Sequence, residues 1–312
     1  PMAWEGYQAF ASYDNEEWFR VETRVASGRL TIEHEAVSDT VYYAYFVPYS
    51  LARQRNLLQS IEHHPFVAIE ALTKSPLGHN IDLIKVGEPA KNKKNVWLIA
   101  RQHPGESMAQ WVAEGFLREL IENRAGSNIA LDDYCFFIVT NMNPDGTQLG
   151  CHRSNYHGKN LNRCWADASL EACPEVYYVQ DAMYKYGVDF FFDIHGDESI
   201  PHNFIMLKGD TGKGEQIKQS LARLDPNFQL KHDYDSYATS CGTSCCNSSC
   251  NGHKTATGFV SKKLGAVALL LEASFKNLQD GYLITEWDHR ACISLGRNVL
   301  LALTQNVSRK AN

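Results

Sequence analysis

The chain has 312 residues, 44% of them hydrophobic and 21% charged, with a formal net charge of -6. That is the composition of a globular protein long enough for one sizeable α/β domain with an appendage. The acidic balance offers no basic footprint for nucleic acid or an anionic membrane, and no apolar run reaches the length needed to cross a bilayer.

Residues 1–50 read as the end of a small N-terminal β-rich domain. GRLTIEHEA from Gly28 and TVYYAYFVPY from Thr40 carry the β-branched and aromatic residues of antiparallel strands, parted by polar turns. The opening PMAWEGYQAF lacks the basic-then-apolar pattern of a secretory signal. Residues 51–312 read as a second, larger domain. IDLIKVG, NVWLIA, YCFFIVT, VDFFFDI and AVALLLE are short, nearly unbroken apolar runs, as strands buried on both faces would be. Helices are predicted between them at Ser107 to Asn123, Pro174 to Tyr186 and Trp287 to Val307. Ser107 and Gln110 fit a capping box, and Met108, Trp111, Val112 and Phe116 share one helical face. The expected fold is α/β, with a mixed, largely buried central sheet flanked by helices and preceded by antiparallel β structure. Chemistry in such a fold belongs at the strand ends.

Nine cysteines are present, and five of them (Cys135, Cys151, Cys164, Cys173 and Cys292) stand singly. That usage reads as a reduced, cytoplasmic protein. The other four crowd into SCGTSCCNSSC, Ser240 to Cys250, without the paired spacing of a structural zinc site, and read as a loop.

Four segments carry candidate chemistry. In VWLIARQHPGESMAQW, Val96 to Trp111, a buried strand gives way to a helix with His103 and Glu106 at the junction. An imidazole and a carboxylate across that turn can converge on one cation, and a catalytic zinc needs three such ligands and an open position. Alone the pair is a weak signal, equally served by a helix whose acid favours its dipole. FFFDIHGDES places His195 at the end of another buried strand. The long loop TNMNPDGTQLGCHRSNYHGKNLNRCW, Thr140 to Trp165, lies between them and holds Arg153 and the pair Asn162–Arg163. Long loops in compact domains tend to be functional, and a guanidinium fork matches a carboxylate. In GAVALLLEASFK, Glu272 ends an apolar strand, where a carboxylate pairs, binds metal or acts as a base.

HPGE, NPDG, HRSN with NLNRCW, DIHGD and LLLEASF follow one another in an order that resembles the M14 metallocarboxypeptidases, and within them the cytosolic carboxypeptidase-like branch. The resemblance runs from Ile81 to the C-terminus, and WFRV at Trp18 to Val21 is similar to the end of that branch's extra N-terminal domain. It implies His103, Glu106 and His195 as zinc ligands and Glu272 as the general base that takes a proton from a zinc-bound water. Arg153 matches the residue that steadies the oxyanion, and Asn162 with Arg163 the grip on the substrate's terminal carboxylate. The implied activity is hydrolysis of the C-terminal peptide bond of a peptide or protein tail.

Three positions depart from the family pattern. Asn160 stands where an Asp often orients the first zinc histidine, so weaker tuning of that ligand is expected. Secreted members carry a tyrosine shortly before the catalytic Glu, yet no Tyr lies between Tyr237 and Tyr282. The loop from Tyr237 to Lys263 contains Lys254, Lys262 and Lys263 and no acid, which suggests a preference for acidic C-terminal residues. The nearest rival is an aspartoacylase-like or succinylglutamate-desuccinylase-like amidohydrolase, which shares the HxxE and LNR elements; NPDG, the Arg153 spacing and the β-rich start favour the peptidase. A structural zinc protein would need a fourth ligand, for which His152 and His157 are available by type.

Overall fold

In the computed structural model, residues 3–122, 131–234 and 253–305 are described. The β-rich start forms β1 (Phe10–Ser12), β2 (Phe19–Arg20) and β5 (Tyr42–Ala44) in one antiparallel sheet, with a separate hairpin of β3 (Glu22–Ala26) and β4 (Arg29–Glu33). Arg20 ties this region to the body, donating to the carbonyls of Phe275 at 3.1 Å and Trp287 at 2.8 Å.

The apolar runs form the middle of a seven-stranded sheet. Its members are β6 (Val67–Lys74), β7 (Asn80–Val86), β8 (Lys94–Ala100), β9 (Tyr134–Val139), β10 (Phe190–Asp197), β11 (Phe204–Lys208) and β12 (Val267–Ser274), in spatial order β11-β12-β10-β8-β9-β7-β6. The central four are parallel, and β11, β7 and β6 join antiparallel at the two sides. The strand alternation feeds two apolar layers. Leu98, Phe136, Phe192 and Leu271 face one cluster, and Trp97, Phe137, Phe191 and Ala268 face the other.

Helices α1 (Leu51–Ile61), α2 (Ser107–Glu122), α3 (Pro144–Leu149), α4 (Pro174–Tyr186), α5 (Thr211–Leu224) and α6 (His289–Gln305) complete the described body, with short helical turns at Leu161–Arg163, Ala256–Phe259 and Val260–Leu264. Helices α2 and α6 pack in backbone contact: a Cβ on Gly115 would lie 2.0 Å from the Ile293 carbonyl oxygen, and one on Gly296 1.9 Å from that of Val112.

The three predicted helices are present, beginning and ending within a few residues of expectation, with Asn123 and residues 306–307 outside the described residues. The two sheet edges, β6 and β11, escaped the sequence reading. Edge strands mix polar with apolar residues because one side lacks a partner, as VAIEALTK and FIMLK do.

Three local expectations are corrected. Ser107 and Gln110 make no capping box: the Ser107 hydroxyl donates to the Val47 carbonyl, and Gln110 Oε1 accepts from Arg101. Cys164 and Cys173, read as separate thiols, form a disulfide, because the loop before α4 folds back until their Cα atoms lie 6.7 Å apart. Cys135, Cys151 and Cys292 are free. The Cys241 to Cys250 cluster lies outside the described residues.

Candidate active site

The chain leaves β8, crosses over α2 to β9 on one side, and later crosses over α4 to β10 on the other. The carboxyl end of β8 is therefore the point where the winding reverses, the place where an open α/β sheet leaves a crevice. His103 sits there. His195 lies near the end of neighbouring β10, and Glu272 faces it across the parallel ladder to β12.

The turn from His103 to Glu106 is held from several sides. Arg101 adopts φ 59°, a left-handed backbone unusual for a side-chain-bearing residue. Its buried guanidinium donates to the carbonyls of Pro104 at 3.0 Å and Tyr49 at 2.6 Å and to Gln110 Oε1 at 2.7 Å. Gly105 passes against the loop that carries Arg153: its N–H donates to the His152 carbonyl at 2.9 Å. A Cβ there would come within 2.8 Å of His152 Nδ1, so the approach needs glycine.

His103, Glu106 and His195 converge, with ligating atoms all within 4.8 Å of one another. His103 Nδ1 is 2.7 Å from Glu106 Oε1, His195 Nδ1 is 2.8 Å from Glu106 Oε2, and the two Nδ1 atoms are 3.1 Å apart. Acceptors on the far sides set the tautomers. Asn160 Oδ1 lies 3.0 Å from His103 Nε2, and Asp193 Oδ1 lies 3.0 Å from His195 Nε2. Both Nε2 atoms therefore carry the proton, and both Nδ1 lone pairs point at the same spot. Two bare nitrogens and a carboxylate at that separation need a cation between them. The same demand for positive charge acts on His195: burial opposes its charge, but Asp193 and Glu106 override this and raise its pKa well above the usual value, so a proton on Nδ1 competes with a metal for that spot. Burial likewise opposes the Glu106 charge, and His103 with His195 hold its pKa well below the carboxylate range. A buried N2O donor set with the protons held on the outer nitrogens fits zinc.

The surrounding cavity, about 360 Å3, is lined by the three convergent residues together with Arg153, Asn162, Arg163 and Glu272. All seven residues singled out for metal, base and substrate therefore meet in one place. Arg153 Nη1 stands 3.4 Å from Glu106 Oε1 and 3.5 Å from Glu198 Oε1. Asn162 is already engaged. Its Oδ1 accepts the Ala256 N–H at 2.9 Å, which sets the amide beside His195. Arg163 is exposed, with one nitrogen donating to the Asn162 carbonyl at 2.7 Å. Neither His152 nor His157 joins the metal-competent group found among the described residues; His152 pairs with Glu198 at 3.1 Å.

Asp193, Gln102, Glu198 and Tyr234 were missed. Asp193 had a signal: it stands two residues before His195 on a strand, hence on the same face. Gln102 Nε2 donates to Asp193 Oδ1 at 2.8 Å, and its Oε1 accepts from Trp165 Nε1 at 2.8 Å. Tyr234 had no signal. Its hydroxyl lies 3.0 Å from both Glu272 Oε1 and Asp197 Oδ2.

The zinc carboxypeptidase family model matches residues 55–200, and that of the cytosolic carboxypeptidase N-terminal domain matches residues 1–46. A metallo-carboxypeptidase from Burkholderia cenocepacia superimposes with a TM-score of 0.89 at 35% identity, covering 99% of this chain and 83% of its own. The chain belongs to the M14 zinc carboxypeptidase family. A Pseudomonas aeruginosa metallo-carboxypeptidase, solved with (2-guanidinoethylmercapto)succinic acid, is similar at TM-score 0.87 and 33% identity, over 98% of this chain and 82% of that one. Cytosolic carboxypeptidase 3 of Bos taurus is 28% identical over 67% of this chain, which spans 22% of that longer protein. The M14 membership makes the protein a zinc metallocarboxypeptidase, a hydrolase. No helix among the described residues is long and apolar enough to cross a membrane.

Proposed function

We propose that the protein hydrolyses the C-terminal peptide bond of peptides or protein tails, with Glu272 as the general base. The observation that carries this reading is the meeting of a metal-competent triad, an unpaired carboxylate oxygen and two arginines in one cavity. His103, Glu106 and His195 are the residues that would hold zinc. Bound zinc would supply Lewis acidity toward water and the scissile carbonyl.

The remaining steps belong to the chain's own groups. Burial pushes the Glu272 pKa well up, His195 pulls it down, and Glu106 and Asp197 add to the rise. A carboxylate whose proton affinity is raised is a stronger base than an ordinary one. Glu272 takes the proton of the attacking water as the C–O bond forms, then passes it to the leaving nitrogen as the C–N bond breaks. Arg153, with its guanidinium at the cavity wall, steadies the negative charge on the carbonyl oxygen. Arg163 grips the terminal carboxylate, and Asn162, bonded to Ala256 and beside His195, holds that segment in place. An internal peptide bond would leave the Arg163 fork without its anion, which confines cleavage to the chain end. The succinic acid carboxylates of the Pseudomonas protein's ligand are the kind of group this fork would hold.

An acidic C-terminal preference draws no support from the described lining, which contains no lysine. Lys262 and Lys263 are exposed on the helical turn after Phe259, and the Lys254 carbonyl is used by the Trp165 N–H at 3.2 Å. The relatives named cytosolic carboxypeptidases support a cytoplasmic setting.

Glu272→Gln tests the reading. Zinc stays bound while release of C-terminal residues from a peptide ladder, followed by mass spectrometry, is lost. Unchanged turnover refutes the base assignment, and a native enzyme that cleaves an N-acylated amino acid but no peptide refutes the substrate class.

A further inference from the structure

The two oxygens of Glu272 have unequal surroundings. Oε1 sits 3.0 Å from the Tyr234 hydroxyl, whereas Oε2 is buried with no hydrogen-bond partner among the described residues. A buried carboxylate oxygen left without a donor is costly. The cost falls on a residue that lines the cavity, where a proton acceptor is needed.

Tyr234 is itself fixed at both ends. Its ring meets Phe204 of β11 edge-on, centroids 4.9 Å apart. Its hydroxyl also reaches Asp197 Oδ2 at 3.0 Å, and Asp197 Oδ1 is pinned by the N–H groups of Ser199 at 2.8 Å and Ile200 at 2.6 Å. The phenol thus spans from the exit of β10 to the base on β12.

We propose that Tyr234 is a positioning residue for the hydrolysis: its hydroxyl holds Glu272 Oε1 and so leaves Oε2 as the oxygen available to accept the proton. This rests on Glu272 being the base. The hydroxyl has one hydrogen and serves one carboxylate at a time. While Glu272 is charged, the hydrogen points to Oε1. Once Oε2 has taken the water proton, that bond weakens and the hydrogen turns toward Asp197. It returns when Oε2 gives its proton to the leaving nitrogen. No covalent bond of Tyr234 breaks.

Tyr234→Phe keeps the ring and its packing on Phe204 and removes the hydroxyl alone. The expected result is a fall in kcat of roughly ten- to a hundredfold, the scale of one lost hydrogen bond to a charged group. KM stays within about twofold, since substrate binding is left alone, and zinc affinity, read by chelator competition, stays at the native value. A raised KM with native kcat makes Tyr234 a substrate ligand and overturns the proposal, as does a variant native in both constants. Glu272→Gln is run in parallel. If it turns over, the base reading fails; if it is inactive while Tyr234→Phe is native-like, only the present inference fails. Should Tyr234→Phe lose zinc or its fold, Phe204→Leu loosens the same ring instead, with a smaller fall in kcat at unchanged KM. Native kcat in that variant overturns the proposal.

Discussion

Glu175 offers a quantitative test of how the substrate loop is anchored. It lies in the first turn of α4, fully buried, and its two oxygens each sit 3.3 Å from Asn155 Nδ2. Asn155 organises the loop between Arg153 and Arg163, its Oδ1 accepting from the N–H groups of His157 and Lys159 at 3.0 Å each. Burial raises the Glu175 pKa from 4.5 to about 7, and Asp145 adds to the rise against the pull of the helix backbone and Asn155. The folded state therefore binds the proton more tightly than the unfolded chain. The contribution of Glu175 to stability is greatest below pH 4.5, falls as pH rises from 4.5 to 7, and levels off above it, opposite to the usual paired carboxylate. A gap of that size corresponds to roughly 3 kcal/mol, of which roughly 2 to 3 appears between pH 5 and 8. Glu175→Gln removes the titration while keeping the shape. Thermal melting of the two proteins at matched pH isolates the group, because every other titration cancels in the difference. The variant should melt only slightly above the native protein at pH 5 and several degrees above it at pH 8. A gap that is constant with pH, or that favours the native protein as pH rises, refutes the argument.

Two further outcomes follow from the site. Asn160→Asp replaces a carbonyl by a carboxylate 3.0 Å from His103 Nε2, and zinc should bind about tenfold tighter by chelator competition, while unchanged or weaker binding counts against the assigned tautomer. Arg163→Ala should raise KM for peptides with a free C-terminus by about tenfold or more and leave a C-terminally amidated peptide unaffected. An equal effect on both peptides would remove Arg163 from the carboxylate grip.

Much of this protein could be read residue by residue. Runs such as YCFFIVT and VDFFFDI announced strands buried on both faces, because a parallel strand between two helical layers has no polar side to show. His195 and Glu272 stood out because each ends such a run, where a polar group needs a reason, and His103 with Glu106 because they sit where a run gives way to a helix. The pattern weakened wherever burial did. The edge strands β6 and β11 mix polar and apolar residues, and a capping box read from Ser107 and Gln110 gave way to longer-range partners, Val47 and Arg101.

What spacing along the chain could not convey was contact between distant segments. Nothing local predicts that Tyr234 reaches across to Glu272, that Asp193 and Asn160 set the protons of two different histidines, or that Cys164 meets Cys173. Nor could it tell that Lys262 and Lys263 stay on the surface. Short-range periodicity reports how deeply a residue is buried, since each side chain senses its own layer. Which buried groups share a hydrogen bond depends on strand order and helix packing, and those are settled when the whole sheet assembles.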